Sequence, residues 1–325
     1  MIDLHLHLDG SLSVKTIRLL AQKQNIELPA CDTELKNRLS VLPSCRDLNE
    51  YLEKFELPLS LLQNKEALKT AAYALAEELK EEGVLYAEIR FAPQLHTRQG
   101  LSMEEAVIAV REGLRQSDFP SSIILCCMRM KDNVEENIKT VRLAHQYKMA
   151  VDLAGAESLY ATESFLEVFS LANELGVPFT IHAGEADGAA SVKSAVSFGA
   201  VRIGHGVRSV EDKLLLAELC EKKIVLELCP TSNLNTKVVD NLKEYPLRTL
   251  LDAGVRVTIN TDNLTVSDTN LKKEWQQMIS LFSLSEEEVK KMHLYAVDAS
   301  FADEDVKKSL QNQILKADIY KILKG

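Results

Sequence analysis

Short apolar runs alternate along this chain with longer segments whose apolar residues return every three or four positions. The runs cover 2–8 (IDLHLHL), 84–93 (VLYAEIRFAP), 122–129 (SIILCCMR), 149–155 (MAVDLAG), 178–184 (PFTIHAG), 201–206 (VRIGHG), 223–230 (KIVLELCP) and 255–262 (VRVTINTD). Each has the length and composition of a buried strand. The segments between them read as amphipathic helices. In 64–83, Leu68, Ala72, Leu75 and Leu79 share one helical face and Gly83 supplies a terminator. Ser102/Glu105 and Ser285/Glu288 have capping-box spacing, and Ser209/Asp212 is a looser version of it. Strand–helix alternation predicts an α/β fold with a parallel sheet. Eight runs, many of them ending in polar residues, favour a closed (β/α)8 TIM barrel over an open sheet, which gathers its site at one switch point. The stretch 12–82 is longer than one crossover helix and is expected to be a helical insertion after the first strand, a lid over the barrel mouth. Extra helices beyond residue 284 are expected to close the bottom or side.

Composition narrows this picture. At 325 residues and 46% hydrophobic, the chain can build one large core, and 1–325 is expected to be a single domain. A formal charge of −10 without a basic stripe speaks against nucleic acid and other polyanions. No apolar run reaches the ~18 residues of a membrane span. The six cysteines include no C-x-x-C and read as small buried hydrophobes in a reducing compartment. With no basic leader before the first strand, the protein is expected to be cytoplasmic.

The chemistry lies at the ends of the runs. In DLHLHLDGS, His5, His7 and Asp9 alternate with Leu4, Leu6 and Leu8, so a strand would place both rings on one face. A lone H-x-H reads equally as the wet face of a half-buried strand. His182 and Glu185 end the fifth run, His205 the sixth and Asp262 the eighth, and a parallel barrel brings all these ends to one mouth. Three imidazoles (His5, His7, His182) and one carboxylate (Asp262) make a site for a divalent ion such as zinc, which would acidify a water. Glu185 reads either as a helix-start acid or as a proton donor beside that water. His205 reads as a group that orients or deprotonates the water, with flanking glycines that serve close approach or packing. Glu88 and Arg90 read as a buried pair in the second strand. His96, His145 and His293 fall outside the set and read as surface or capping residues.

HLHLDGS, YAEIRFAP, VDLAGAE, IHAGE, IGHGV and NTDN, in this order, resemble the adenosine deaminase family of the amidohydrolase superfamily. The resemblance extends over nearly the whole chain, including DLNEYLEKFELPL in the lid segment. It implies a (β/α)8 barrel with one catalytic zinc per chain, held by His5, His7, His182 and Asp262. It also implies Glu185 as proton donor to purine N1 and His205, with Asp262, as the residues that position water. The substrate-facing set it implies is His7, Asp9 on the ribose side, Gly155 with its N–H at purine N3, Leu52 and Phe55 in a hydrophobic gate, and Asn263. The last is a departure. The family usually carries a second aspartate there, facing purine N7, whereas this chain has Asp262–Asn263. N7 accepts, an ionised Asp cannot donate to it, and an Asn amide can.

The expected reaction is hydrolytic deamination of adenosine and 2′-deoxyadenosine in purine salvage. The alternative on the same fold is a deaminase of free adenine or of a modified adenine nucleoside. AMP is disfavoured because no basic cluster stands near the motifs. A two-metal site is disfavoured because the fourth run ends in DLAG, without a bridging Lys. A binding barrel without catalysis would be expected to lack a ligand or the acid. The other zinc deaminase architecture needs H-x-E with P-C-x-x-C, and Cys229-Pro230 has the reverse order.

Overall fold

The computed structural model describes residues 1–324. All eight apolar runs contain strands: β1 Ile2–His7, β2 Tyr86–Phe91, β3 Ser121–Arg129, β4 Ala150–Gly155, β5 Thr180–Ala183, β6 Arg202–His205, β7 Val225–Leu228 and β8 Arg256–Ile259. Every neighbouring pair is parallel, in the order β1-β2-β3-β4 and β5-β6-β7-β8. Two seams join these halves. Val151 N donates to Pro178 O (3.0 Å), and at the other seam His7 N donates to Asp262 O and Asp262 N to His5 O, both 2.8 Å. The barrel is thus closed at the point where three of the predicted ligands sit.

The barrel interior is unusual for this architecture, whose inner layers are commonly branched aliphatics. Here Glu88, Arg90, Asp152, Arg202 and Glu227 are all fully buried. Arg202 donates to Glu88 Oε2 (2.5 Å), to Glu227 Oε1 (2.7 Å) and to Ala299 O (2.9 Å). Glu88 Oε1 in turn accepts from Phe301 N at 2.5 Å, so the chain after the helix Glu286–Ala299 seals the bottom of the barrel. Glu88 and Arg90 are therefore not a pair. Side chains at i and i+2 of one strand both point inward, and each finds its opposite charge across the barrel rather than beside it.

The outer helices follow the sequence pattern where it is strong. Leu68, Ala72, Leu75 and Leu79 are buried on the helix Lys65–Glu81, which Gly83 ends at φ +75°. Both Ser102/Glu105 and Ser285/Glu288 form complete capping boxes. Ser209/Asp212 does not: Asp212 is itself the cap, accepting from Leu214 N and Leu215 N of the helix Lys213–Glu221. His96 and His293 are buried, not superficial. His96 Nδ1 donates to Leu62 O (2.8 Å), and His293 stacks on Trp275 with ring centres 4.3 Å apart. Within 12–82, the helix Lys65–Glu81 leads into β2 as an ordinary crossover, packed beside the helix Met103–Gln116. The part that overhangs the mouth is shorter. It comprises the helices Leu48–Leu52 and Glu56–Leu61, joined through Glu53–Phe55.

Candidate active site

The C-terminal ends of β1, β5, β6 and β8 bring His5, His7, His182, His205 and Asp262 together. His5 Nε2 and His182 Nε2 lie 3.0 Å apart, and His7 Nε2 is 3.3 Å from His182 Nε2. Asp262 Oδ1 is 3.5 Å from His5 Nε2 and 3.3 Å from His7 Nε2. Donors about 2.0–2.2 Å from a tetrahedral cation stand roughly 3.3–3.5 Å from one another, which matches this set. The four residues form a possible metal site, with ligand atoms all within 4.8 Å of one another.

The other ring nitrogens explain the aim of two of these rings. His5 Nδ1 donates to Glu227 Oε2 at 2.8 Å. His182 Nδ1 sits 2.8 Å from Asp152 Oδ2, off the hydrogen-bond axis. A carboxylate behind each imidazole keeps a proton on Nδ1 and turns the Nε2 lone pair inward. Arg90 holds both carboxylates, donating to Asp152 Oδ2 and to Glu227 Oε2 at 2.9 Å each. Burial works against the charged forms of Asp152 and Glu227, yet His182 and Arg90 hold Asp152 well below the usual range, and Arg90 and Arg202 do the same for Glu227. Arg90→Met would leave two carboxylates buried around one fewer cation. Urea unfolding of that variant should show a loss of about 3–5 kcal/mol, and unchanged stability would contradict this pairing.

Glu185 lies in the turn after β5 and is 5% exposed. Its Oε1 accepts from Thr236 Oγ1 (3.2 Å), and its Oε2 is 3.5 Å from His205 Nε2. Burial, then the charges of Asp262 and Glu157, raise its pKa well above the ordinary carboxylate value. His205 is held neutral by burial and by neighbouring His5. Tyr245 OH donates to Asn233 Oδ1 (2.8 Å), which aims Asn233 Nδ2 at His205 Nδ1 (3.1 Å). The neutral ring then carries its proton on Nε2, facing the cavity. His205 and Asp262 both have positive φ, +60° and +62°. Such strain in non-glycine residues gathers at functional sites, and Ser232 Oγ fixes Asp262 further by donating to its Oδ2 (2.6 Å).

These groups open onto a cavity of about 250 Å³. Every predicted site residue lines it except His5, which lies beneath: His7, Asp9, Leu52, Phe55, Gly155, His182, Glu185, His205, Asp262 and Asn263. Gly155 takes φ +106°, a conformation closed to other residues, where its strand turns under the cavity. Asp9 is 6% exposed, and burial raises its pKa to about 6. Asn263 Nδ2 donates to Tyr51 OH (3.0 Å), and its Oδ1 is buried without a partner. Glu227, Asn233, Ser232, Thr236 and Glu157 were not singled out by the sequence. Glu227 had a signal, a lone acid inside the apolar run KIVLELCP.

Comparison with known proteins identifies the family. The sequence model of the family described as Adenosine deaminase matches residues 1–317. An adenosine deaminase of Haemophilus ducreyi is 49% identical over 323 residues, covering 95% of this chain and 94% of that protein. One of Enterococcus faecalis is 43% identical over 327 residues, covering 98% and 97%. Among solved structures, the adenine deaminase of Arthrobacter aurescens superposes with a TM-score of 0.89 at 26% identity, covering 97% of this chain and 98% of that one. The chain is a hydrolytic deaminase and belongs to the adenosine deaminase family.

Proposed function

We propose that this enzyme converts adenosine and 2′-deoxyadenosine, with water, to inosine and 2′-deoxyinosine plus ammonia. The observation that carries this reading is the joint opening of a proton-retaining carboxyl, Glu185, and the His5/His7/His182/Asp262 cluster onto one small cavity. Three imidazoles and a carboxylate suit zinc, and we assign them one zinc ion per chain. Bound there, zinc supplies Lewis acidity and makes water a nucleophile at neutral pH.

The chain's own groups do the rest. Glu185 donates its proton to N1 of the purine, which withdraws electrons from C6. His205, with its Nε2–H toward the cavity, orients the water that adds at C6, and Asp262 fixes it from the other side. Asp262 takes the first water proton and passes it to the C6 amino nitrogen, the C6 hydroxyl returns its proton to Glu185 as the carbonyl forms, and the C6–N bond breaks to release ammonia. Gly155 offers its N–H to N3, and Asp9 accepts from a ribose hydroxyl. For Asn263 to donate to N7 its amide turns over. Tyr51 OH then donates to Oδ1 and accepts from Ser267 Oγ, which is 2.7 Å away, so no group is left unpaired. Leu52 and Phe55, in the overhanging segment, cover the apolar face of the base and act as the lid of a single 1–325 domain.

A nucleoside fits better than a nucleotide. Arg129 is the one Lys or Arg lining the cavity among the described residues, and its two terminal nitrogens are taken by Tyr160 O, Thr162 Oγ1 and His182 O, with only the buried Nε unpartnered. No helix among the described residues is long and apolar enough to cross a membrane, and all six cysteines are free thiols. We accordingly place the enzyme in the cytoplasm.

A substrate panel tests the reading. Ammonia release is measured with adenosine, 2′-deoxyadenosine, adenine, N6-methyladenosine and AMP. The two nucleosides should give the highest kcat/KM. Preference for adenine or for AMP would overturn the assignment of the Asp9 side to a bare ribose.

A further inference from the structure

The turn that carries Glu185 is held by a residue that does not touch the cavity. Glu157 follows Gly155 by two positions and is 2% exposed. Its Oε1 accepts from Gly184 N (2.7 Å) and from Ser191 Oγ (2.5 Å). Its Oε2 accepts from the next three amides: Glu185 N (3.0 Å), Ala186 N (2.7 Å) and Asp187 N (3.1 Å). One carboxylate thus takes four successive amides of a single turn, all charge-assisted bonds. The carbonyl side of the same turn is fixed as well. Arg129 Nη2 donates to His182 O (2.7 Å) and to Thr162 Oγ1 (2.8 Å). The Thr162 hydroxyl lies 2.7 Å from Ser191 Oγ, which leaves the Ser191 proton for Glu157.

We propose that Glu157 is a positioning residue for the deamination: it ties the loop bearing Gly155 to the turn bearing Glu185, so that the donor at N1 and the amide at N3 meet one purine ring at a fixed separation. The inference rests on the roles given above to Glu185 and Gly155. N1 and N3 belong to the same six-membered ring, so a small slip between the two loops misaligns one contact whenever the other is made. A displacement of about 1 Å at a reacting group can cost 10²-fold in rate. Substrate affinity, spread over the whole cavity, is affected far less.

The test compares wild type with Glu157→Gln, whose amide N–H₂ faces donors instead of accepting from them. The kcat per bound metal should fall about 10–100-fold, as for other supporting groups behind a site, with KM changed less than about threefold. The alkaline limb of the kcat/KM profile should also move to lower pH. Glu185 faces Asp262, Glu157, Arg129, His205 and Thr236, and Glu157→Gln removes one of the two negative charges that favour its protonated form. Glu157→Asp keeps that charge but withdraws the carboxylate by one methylene. It should lower kcat by about tenfold and leave the limb in place. A merely structural role would not separate the two variants in this way. If Glu157→Gln does not fold, kcat of Glu157→Asp decides alone. Wild-type kcat in the folded variants, or a rise in KM at unchanged kcat, overturns the proposal. Glu185→Gln, run alongside, separates the two failures. If that variant turns over normally, the assignment of the acid is wrong. If it is inactive while Glu157→Gln is normal, only the role of Glu157 is lost.

Discussion

Glu185→Gln is expected to lower kcat by about 10²–10⁴-fold, the usual worth of a general acid, while the divalent ion stays bound. Gln matches the size of Glu, can still accept from Thr236 Oγ1 and carries no transferable proton at neutral pH. None of the four proposed ligands touches its carboxyl group, so metal content should be that of the wild type. The pH profile gives a second view. Burial, Asp262 and Glu157 raise the Glu185 pKa well above the ordinary value. The acid therefore keeps its proton to higher pH than an ordinary carboxyl, and the rate falls as pH rises through its folded-state pKa. A variant with near-normal turnover, or one that also lost its metal, would contradict the separation of acid from ligands.

Removal of the ion is expected to have two effects at once. Treatment with a chelator should abolish turnover and lower the melting temperature, and added zinc should restore both. The second effect follows from linkage. An ion that binds only the folded state at 1,000 times its Kd adds about 4 kcal/mol, which for a chain of this size is roughly 5 °C. His182→Ala should melt at the same temperature with and without chelator. If wild type keeps its melting temperature and its activity after exhaustive chelation, the cluster is not a metal site.

Much of this was legible in the sequence because of strand periodicity. His5 and His7 fall on one face of β1 by their spacing alone, and parallel strand order then determines which other ends they meet. Glu88 and Arg90 show the limit of that reasoning. Adjacent opposite charges on one strand suggest a pair, but inside a barrel the partners are chosen across the interior, Arg202 for Glu88, and Asp152 and Glu227 for Arg90. Ser209/Asp212 had roughly the right spacing for a cap, yet the helix starts one residue after Asp212 because Asp212 takes the first amides itself. Glu157 stands at the end of the motif VDLAGAE, but its role was not legible, for a different reason. Its partners are backbone amides in a turn, and nothing in the identity of Gly184, Ala186 or Asp187 announces that their N–H groups need an acceptor. His96 and His293 were misplaced because a histidine bonded to a carbonyl of an adjacent or its own helix satisfies one nitrogen and can be buried.

The central claim is that side chains from three separate strands hold one cation next to Glu185. Crystals of the zinc-loaded protein, with anomalous scattering recorded on both sides of the zinc absorption edge, test it most directly. The account predicts one peak per chain, within bonding distance of Nε2 of His5, His7 and His182 and of a carboxylate oxygen of Asp262. No peak there, or a peak bound by other residues, would contradict it.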